Sequence, residues 1–353
     1  MKTLINNEMK QRNISFDIMK GICIILVIVD HCGGTALYVG DGKMWSMLEH
    51  LFLAVFFFVS GYFYKDYSCF VELVVKKANK LVFPFLLFSI ITVLTNLLFE
   101  DIRISFVEIM KHIIGVMFVW PNYLWFLKTL FLSIVIFYVI NNFPINRICK
   151  CICTFTVGFV AYYFKEIYPL EGNIYSDIYN NVIVALIVQP FICCAYIFRI
   201  IFTKQLELRN YVILFIISLV VWSLSSFGGV FLVIAQVQNN IMLFYISSFA
   251  AILCLFSFCS IINLCIPLER INFIVSYYGK YSLIVYGIHI TLIRFFLLYI
   301  NPYICLLCVL SVMPVMIWVF KRLFPAFVAQ RDLLIYEKGR VKVDFGAFSL
   351  KNR

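Results

Sequence analysis

The stretch from Arg12 to Gly34 reads RNISFDIMKGICIILVIVDHCGG and joins charged residues to an apolar run. The apolar run predicts a transmembrane helix ending in Asp30 and His31, at a depth where ionisable side chains cost free energy. Lys20 and His31 are eleven positions apart. Eleven positions are three helical turns plus about 20°, so both side chains lie on one helix face, roughly 16 Å apart. This face therefore carries a fixed cation near one membrane surface and a titratable imidazole deeper in the membrane.

The overall composition places the rest of the chain in a membrane as well. Hydrophobic residues make up 63% of the 353 residues and charged residues 13%, with a mean hydropathy of +0.98. Soluble domains carry about 25% charged residues, so an ordinary soluble protein is excluded. The apolar runs do not alternate over segments of about ten residues, which also excludes an outer-membrane barrel.

Apolar segments near the ~20 residues that a helix needs to cross a bilayer recur along the whole chain. We place them at residues 17–35, 46–64, 81–99, 124–142, 148–164, 178–199, 210–227, 241–262, 280–299 and 302–321. No small-residue cleavage site follows the first segment, so we expect it to be retained as a transmembrane helix. The predicted fold class is therefore an all-α integral membrane bundle of about ten transmembrane helices.

The distribution of positive charge predicts the orientation of this bundle. With a cytoplasmic N-terminus, most of the 29 Lys and Arg residues fall in cytoplasmic segments. The positive-inside rule therefore predicts that the N- and C-termini are both cytoplasmic. Most of the net charge of +11 then lies on the cytoplasmic side, where it faces anionic lipid. This charge therefore requires no nucleic-acid partner. We divide the chain into a cytoplasmic N-terminal segment (1–16), a transmembrane domain (17–325) and a basic cytoplasmic tail (326–353).

The 13 cysteines indicate neither a disulfide framework nor a metal site. Most of them lie within apolar segments, where cysteine behaves as a small hydrophobic residue. Cys149, Cys151 and Cys153 alternate along a predicted helix and so point to different sides, which is unsuitable for zinc. We therefore expect no bound metal.

His31 is the first candidate for chemistry. A neutral imidazole in a polar pocket suits general-base catalysis near physiological pH. The alternative is a helix-end histidine that extends toward the membrane interface. Asp30 lies about 100° around the helix from His31, so we expect it to face another helix, where Lys128 and Arg294 are candidate partners.

A second candidate is the basic cluster of Lys76, Lys77 and Lys80, which precedes Pro84. Such a cluster on the cytoplasmic side commonly anchors the topology of a membrane protein. In an α-helix, however, the spacing i, i+1, i+4 places the three ammonium groups on one side. There they could hold phosphate groups as point charges.

Three further segments carry candidate residues, each with a structural alternative. Ser60 precedes a glycine, and this small pair favours helix packing over a nucleophile because no base is nearby. Trp125 fits an interfacial aromatic belt, whereas Lys128 lies a turn inside the membrane. Tyr286 and His289 share one helical side near mid-membrane, and both a structural and a substrate-contacting role remain open for His289.

Five short blocks of residues, which include the candidates above, follow one another along the chain. They comprise Arg12, Asp17, Lys20, Gly21 and His31; Phe57, Phe58, Ser60, Gly61 and Tyr62; Lys76, Lys77, Lys80 and Pro84; Trp125, Phe126 and Leu127; and Gly279, Lys280, Ser282, Leu283, Tyr286 and His289. Together they resemble the acyltransferase 3 family of integral membrane O-acyltransferases, and most closely its fucose 4-O-acetylase-like branch. The resemblance covers residues 12 to 325. The chain departs from the pattern at Phe52 and Ala54, where many members have His and Pro, and its basic cluster is lysine instead of arginine.

The resemblance implies the transfer of an acyl group, most often acetyl, from acetyl-CoA to a hydroxyl of a cell-surface glycan, polysaccharide precursor or glycolipid. It implies a catalytic site of Lys20, Asp30 and His31, in which His31 acts as general base or transient acyl carrier. The residues that would hold the CoA phosphates are Lys76, Lys77 and Lys80. The further substrate-contacting or structural candidates are Asp17, Ser60, Trp125, Lys128, Tyr286, His289 and Arg294. The implied location is the bacterial cytoplasmic membrane.

Two other classes of protein compete with this interpretation. A transporter or flippase of a lipid-linked glycan could use Asp30, Lys128 and Arg294 to line a polar path. Transporters often contain internal repeats, and we find none between the two halves of the chain. The other alternative is an inactive assembly or sensor protein, and the presence of both Lys20 and His31 argues against it. The acceptor, the acyl group and the oligomeric state stay open.

Overall fold

A computed structural model of the protein describes most of the chain. The described residues are 14–33, 43–99, 115, 124–170, 175–201, 206–226, 230–231, 236–237, 240–265, 269–337 and 339–348. Arg12, most of the predicted N-terminal segment and most of the outer loop before residue 240 lie outside these ranges.

The described residues form helices and two short hairpins. The helices are α1 (Ile14–His31), α2 (Lys43–Tyr62), α3 (Phe70–Lys77), a π turn (Ala78–Val82), α4 (Phe83–Phe99), α5 (Trp125–Asn142), α6 (Arg147–Ile167), α7 (Ser176–Ile187), α8 (Gln189–Ile201), α9 (Leu208–Ser225), α10 (Ile241–Cys265), α11 (Glu269–Lys280), α12 (Ser282–Leu297), α13 (Pro302–Leu323) and a final 3₁₀ turn (Phe345–Phe348). The strands are β1 (Val230–Phe231), β2 (Gln236–Val237), β3 (Leu334–Glu337) and β4 (Arg340–Val343), paired as two antiparallel hairpins.

Seven helices within the described ranges are long and apolar enough to cross a membrane, or eight if the bent pair Ile274–Lys280 and Ser282–Leu297 forms one span. The prediction of an all-helical membrane protein is confirmed. A helix overlaps each of the ten predicted segments, but α1 carries three charged residues, and within α2 the apolar helix Met47–Tyr62 is shorter than the seven spanning candidates. The number of ten spans and the cytoplasmic side of both termini therefore stay predictions.

Helix α1 lies at the centre of the bundle and packs against α2, α10, α11 and α12. Its contact with α11 brings the two backbones together at two glycines. A Cβ atom on Gly21 would overlap the carbonyl of Val275, and one on Gly279 would overlap the carbonyl of Asp17. Small residues allow this close approach of membrane helices. The glycines of the Lys-Gly and Gly-Lys blocks therefore join the first helix to the eleventh.

The third predicted span begins in a π turn immediately before Pro84. Here the Phe83 N–H donates to the carbonyl of Ala78, five residues back, and the helix continues without a break from Phe70 to Phe99. Proline provides no N–H and clashes with the preceding turn of an α-helix. The wider turn accommodates Pro84, and it changes the direction of the side chains around it relative to a regular α-helix.

The chain after α13 returns to the bundle instead of leaving it. Ala326 and Val328 are fully buried, and strand β3 packs against α3. The side-chain oxygen of Asn79, in the π turn, accepts hydrogen bonds from the N–H groups of Leu333 and Leu334, both at 2.9 Å. Its amide donates to the Leu334 carbonyl at 2.7 Å. One buried side chain therefore fixes the C-terminal segment against the end of α3.

Candidate functional site

A cavity of about 580 Å³ lies between α1, α2, the π turn, α5, the α11–α12 bend and the segment after α13. Four lysines from three distant parts of the chain line it, namely Lys20, Lys77, Lys80 and Lys280. Packing against the glycine contacts of α1 and α11 brings Lys20 and Lys280 to the same cavity, although 260 positions separate them. The cavity is therefore strongly basic.

Three of these four lysines lack an acidic partner in the part of the chain that the structure describes. Lys20 forms an ion pair with Asp17 at 2.9 Å, one turn earlier in α1. Among the described residues, no carboxylate lies within 4.0 Å of Lys77, Lys80 or Lys280. Uncompensated cations that converge on a cavity raise the local concentration of anions. This arrangement suits a ligand that carries several negative charges.

Lys76 is not brought to this cavity. It lies beside Lys77 in α3, but its side chain is half-exposed and its ammonium group pairs with Glu72 one turn earlier. The sequence placed Lys76, Lys77 and Lys80 on one side of a regular α-helix. The π turn begins at Ala78 and alters that register, so Lys77 and Lys80 line the cavity without Lys76.

The remaining walls are mainly apolar and extend along α1 beyond Lys20. Ile24 and Val27 of α1 line the cavity, and Val27 lies one helical turn before His31. On the opposite side, the rings of Phe126 and Tyr286 contact each other edge to face with centroids 5.6 Å apart. The cavity therefore leads from the lysines toward the end of α1 that carries His31.

Two histidines meet at that end. His31 is exposed at the last turn of α1, and its ring centroid lies 5.2 Å from that of His289 in α12. His289 is fully buried, and its Nδ1 lies 2.7 Å from the Tyr286 carbonyl. The same Tyr286 lines the cavity. The structure thus brings together two candidates that the sequence could only consider separately.

Of the two candidate partners of Asp30, Lys128 has a different partner. Lys128 forms an ion pair with the buried carboxylate of Asp177 in α7. Asn181 also donates to Asp177, at 3.2 Å, and accepts from Thr129 at 2.7 Å. Since α7 packs directly against α5, the Lys128 ammonium finds a carboxylate on the adjacent helix. Arg294, the other proposed partner, lies in the last turn of α12.

Ser60 and Trp125 also have defined positions. Ser60 lines the cavity, while its neighbour Gly61 packs against the backbone of Ile192 in α8. A Cβ atom on Gly61 would overlap the Ile192 carbonyl, so the predicted packing role of this glycine is confirmed. Trp125 is buried at the start of α5, with its ring perpendicular to that of Phe126. Trp125 therefore supports a cavity residue and does not itself line the cavity.

Several cavity residues were not assigned a binding role from the sequence. Lys280 and Tyr281 lie at the 92° bend between α11 and α12, and the Tyr281 hydroxyl accepts from Lys321 at 2.7 Å. Ala329 and Gln330, from the C-terminal segment, complete the wall. Lys280 belongs to one of the sequence blocks that carry the family resemblance, and this membership could have identified it as a candidate binding residue. Nothing local in the sequence indicates that residues 328–330 return to the cavity.

Within the described parts of the chain, no group of three or more His, Cys, Asp or Glu residues is arranged to hold a metal ion. Cys151 lies 3.8 Å from Cys193 (sulfur to sulfur) across α6 and α8, whereas Cys153 is exposed. The alternating cysteines of α6 therefore point to different surroundings, as their spacing indicates.

The comparisons with known proteins agree with the family resemblance. The family model of the acyltransferase 3 family, an acyltransferase domain, matches residues 13–322. No curated protein and no solved structure matches the chain. The matched region includes α1 to α12 and nearly all of α13, and with them all four lysines of the cavity and both histidines. The chain therefore belongs to the acyltransferase 3 family and is a membrane acyltransferase.

Proposed function

We propose that this protein transfers an acetyl group from acetyl-CoA to a hydroxyl of a cell-surface glycan, a polysaccharide precursor or a glycolipid. The observation that carries the proposal is the convergence on one cavity of Lys77, Lys80 and Lys280, which have no acidic partner among the described residues. Coenzyme A carries a diphosphate and a separate 3′-phosphate. Lysine ammonium groups bind such phosphates as point charges.

The dimensions and lining of the cavity support the same donor. Its volume of about 580 Å³ is within the usual range for small-molecule sites, about 300–1,000 Å³. Its apolar wall, which includes Val27, Phe56 and Leu130, suits the pantetheine arm and the acetyl group. The phosphates would lie at the lysines, and the thioester would extend along α1 toward His31.

His31 has two possible roles in this proposal. As a general base, it takes the proton of the acceptor hydroxyl while the oxygen attacks the thioester carbonyl. The carbon–sulfur bond then breaks, and the CoA thiolate recovers the proton from His31. As an acyl carrier, a ring nitrogen of His31 attacks the thioester carbonyl, the carbon–sulfur bond breaks and the CoA thiolate leaves. The acceptor hydroxyl then attacks the acyl group on the imidazole, the carbon–nitrogen bond breaks, and the released imidazole takes up the hydroxyl proton. General-base catalysis contributes about 10²–10⁴-fold in typical enzymes.

The predicted topology favours a site that spans the membrane. The positive-inside rule puts Lys20 near the cytoplasm and His31 toward the outer half of the bilayer. The donor is cytoplasmic and a surface glycan is external, so a cavity along α1 would connect them. We propose accordingly that the protein resides in the bacterial cytoplasmic membrane and that its acceptor approaches from outside.

The structure weakens the transporter interpretation at one of the three residues on which it depends. It required Lys128 in an open polar path, and Lys128 is instead paired with the buried Asp177. Because the Lys128 ammonium already has a carboxylate partner on a neighbouring helix, it does not need a substrate to satisfy its charge.

The direct test is donor binding followed by transfer. Purified protein in detergent should show a higher unfolding temperature with acetyl-CoA or CoA, because a ligand that binds only the folded state stabilises it. His31→Ala should retain this shift and lose acetylation of the cell's surface glycan, measured by mass spectrometry. Absence of any shift with CoA, or normal acetylation by His31→Ala, would overturn the proposal.

A further inference from the structure

The hydrogen bond of His289 determines which of its ring nitrogens carries the proton. Its Nδ1 lies 2.7 Å from the backbone carbonyl of Tyr286. A carbonyl oxygen only accepts, so Nδ1 must donate, and in the neutral ring Nε2 then holds a lone pair and no hydrogen. Position i−3 in the same helix supplies the acceptor, so the backbone of α12 itself fixes this tautomer.

The Nε2 atom that remains is buried without a partner among the described residues. His289 is fully buried, and no hydrogen-bond donor in the described ranges reaches its Nε2. A buried acceptor without a donor costs free energy, so such an atom in a folded protein calls for an explanation. The ring of His31 packs against that of His289, with a centroid separation of 5.2 Å and an angle of 41° between the rings.

This separation allows a direct hydrogen bond between the two rings. An N–H···N bond of about 2.9 Å between two imidazoles corresponds to centroids roughly 5 Å apart when the rings meet edge to edge. A rotation of the His31 side chain is therefore sufficient, without movement of either helix. His31 is exposed at the end of α1, which leaves room for that rotation.

We propose that His289 is the positioning residue of His31. Its Nε2 accepts a hydrogen bond from one ring nitrogen of His31, which leaves the other ring nitrogen of His31 with its lone pair directed toward the reacting groups. The hydrogen bond fixes the tautomer and the orientation of the ring, as an orienting partner does for a catalytic histidine in general. The inference rests on the proposed function, and it holds equally whether His31 acts as a base or as an acyl carrier.

A matched pair of substitutions separates this role from a structural one. His289→Asn keeps an amide near the position of Nδ1, where it can still donate to the Tyr286 carbonyl, and removes the acceptor at Nε2. His289→Gln places an amide oxygen near the position of Nε2 and so restores an acceptor for His31. Both variants are compared with wild type for unfolding temperature, CoA-induced stabilisation, kcat and donor KM.

We expect His289→Asn to remain folded, to keep its CoA-induced shift and its donor KM, and to lose kcat on the order of 10²-fold or more. His289→Gln should recover kcat to within about tenfold of wild type. A His289→Asn variant with wild-type kcat would show that His289 is structural only. Equal losses of kcat in the Asn and Gln variants, with CoA binding intact, would likewise overturn the positioning role.

A chemical probe of His31 keeps the test independent of the proposed reaction. Diethyl pyrocarbonate acylates the imidazole nitrogen that holds a lone pair, and the modification of His31 can be followed by mass spectrometry. The rate should fall in His289→Asn and recover in His289→Gln, even if wild type neither binds CoA nor transfers acetyl. Equal rates in all three proteins would refute the inference, whereas failure of CoA binding in wild type would refute only the proposed function.

Discussion

At the scale of single residues, Lys76 and Lys80 show how neighbours with the same chemistry acquire different roles. Lys76 pairs with Glu72 at the surface of α3, whereas Lys80 lines the cavity with no described carboxylate in contact with it. An exposed i, i+4 ion pair contributes only a few tenths of a kcal/mol. Lys80 is also exposed, but it lines the cavity, where we propose an anionic ligand as its partner.

Lys80→Ala and Lys280→Ala should each raise the KM for acetyl-CoA by about tenfold, because each removes one charged contact to a phosphate. The matched control is Lys76→Ala, which removes a nearby lysine that does not line the cavity, and it should leave the KM within about twofold of wild type. Steady-state kinetics at fixed ionic strength measure the difference. An equal rise of KM in all three variants would show that general surface charge, and not the cavity, attracts the donor.

The pair of Lys128 and Asp177 should be a structural feature and not a catalytic one. Asp177→Asn leaves the partly buried Lys128 ammonium without its carboxylate, and we expect a loss of about 3 kcal/mol in unfolding free energy, at the low end for a buried pair. Replacing both residues by apolar ones, as in Lys128→Met with Asp177→Leu, should recover most of this loss. Unfolding in detergent measures both effects. An Asp177→Asn variant with the same unfolding free energy as wild type would contradict this assignment.

At the scale of helices, the contact between α1 and α11 determines where Lys20 and Lys280 lie. Gly21 faces the backbone of Val275, and Gly279 faces that of Asp17. Any larger residue would force the two helices apart and would widen the cavity between their lysines. These glycines, which in the sequence are only small members of charged blocks, therefore set the spacing of the charges.

Gly21→Ala should destabilise the protein by about 1–3 kcal/mol, because the new methyl group meets backbone atoms that cannot move aside as a flexible side chain would. An exposed position in α9, substituted as Ser223→Ala, provides a control for helix substitution outside the core, with little expected change. Thermal unfolding of the purified proteins is the measurement. Equal unfolding temperatures for Gly21→Ala and wild type would mean that the helices can separate at this contact without cost.

The contact between the π turn and the C-terminal segment is a second feature at the scale of helices. Asn79 lies between Lys77 and Lys80 and binds the backbone of residues 333 and 334. The same segment supplies Ala329 and Gln330 to the cavity wall. We therefore expect the ordering of the C-terminal segment and the shape of the donor site to depend on one another.

Asn79→Ala should release this segment, because it removes the two hydrogen bonds accepted from Leu333 and Leu334 and the one donated to Leu334. The expected results are faster proteolysis after α13 and a donor KM raised about tenfold. The control is Asn142→Ala, at the exposed end of α5, where the amide donates to the Tyr138 carbonyl of its own helix. This control should change neither property. Unchanged proteolysis of Asn79→Ala would indicate that strand β3 is held by its other contacts with α3.

At the scale of the whole molecule, α1 joins the basic cavity to the pair of histidines. It packs against α2, α10, α11 and α12 and carries Lys20 near one end and His31 at the other. Acyl transfer across a membrane requires a connected path between donor and acceptor, and a central helix lined by a cavity offers one. The charge distribution of the chain predicts the orientation of this path.

A fluorescent protein that matures only in the cytoplasm, fused after Arg353, should fluoresce in whole cells, because the positive-inside rule predicts a cytoplasmic C-terminus. A periplasm-dependent alkaline phosphatase fused at the same point should stay inactive. The opposite pair of results would reverse the membrane orientation and place the lysines of the cavity on the outer side.

The positions of the helices and the family could be predicted from the sequence, because hydropathy and the spacing of charged residues are local properties of the chain. Each predicted span overlaps an observed helix, and the blocks around Lys20, Lys80 and His289 carry the family resemblance. The function of each block was less predictable. Lys280 was recognised as part of a block, yet its place beside Lys20 depends on the packing of α11 against α1.

The sequence by itself determined that the chain is a helical membrane protein of this family, since burial in lipid constrains composition over every span of about 20 residues. Only the tertiary structure decided which charges meet. It paired Lys128 with Asp177, separated Lys76 from Lys80 through a π turn, and placed His31 beside His289. Helical periodicity gives the direction of a side chain around its own helix. The partner it meets depends on how helices distant in sequence pack, and that packing leaves no local pattern in the chain.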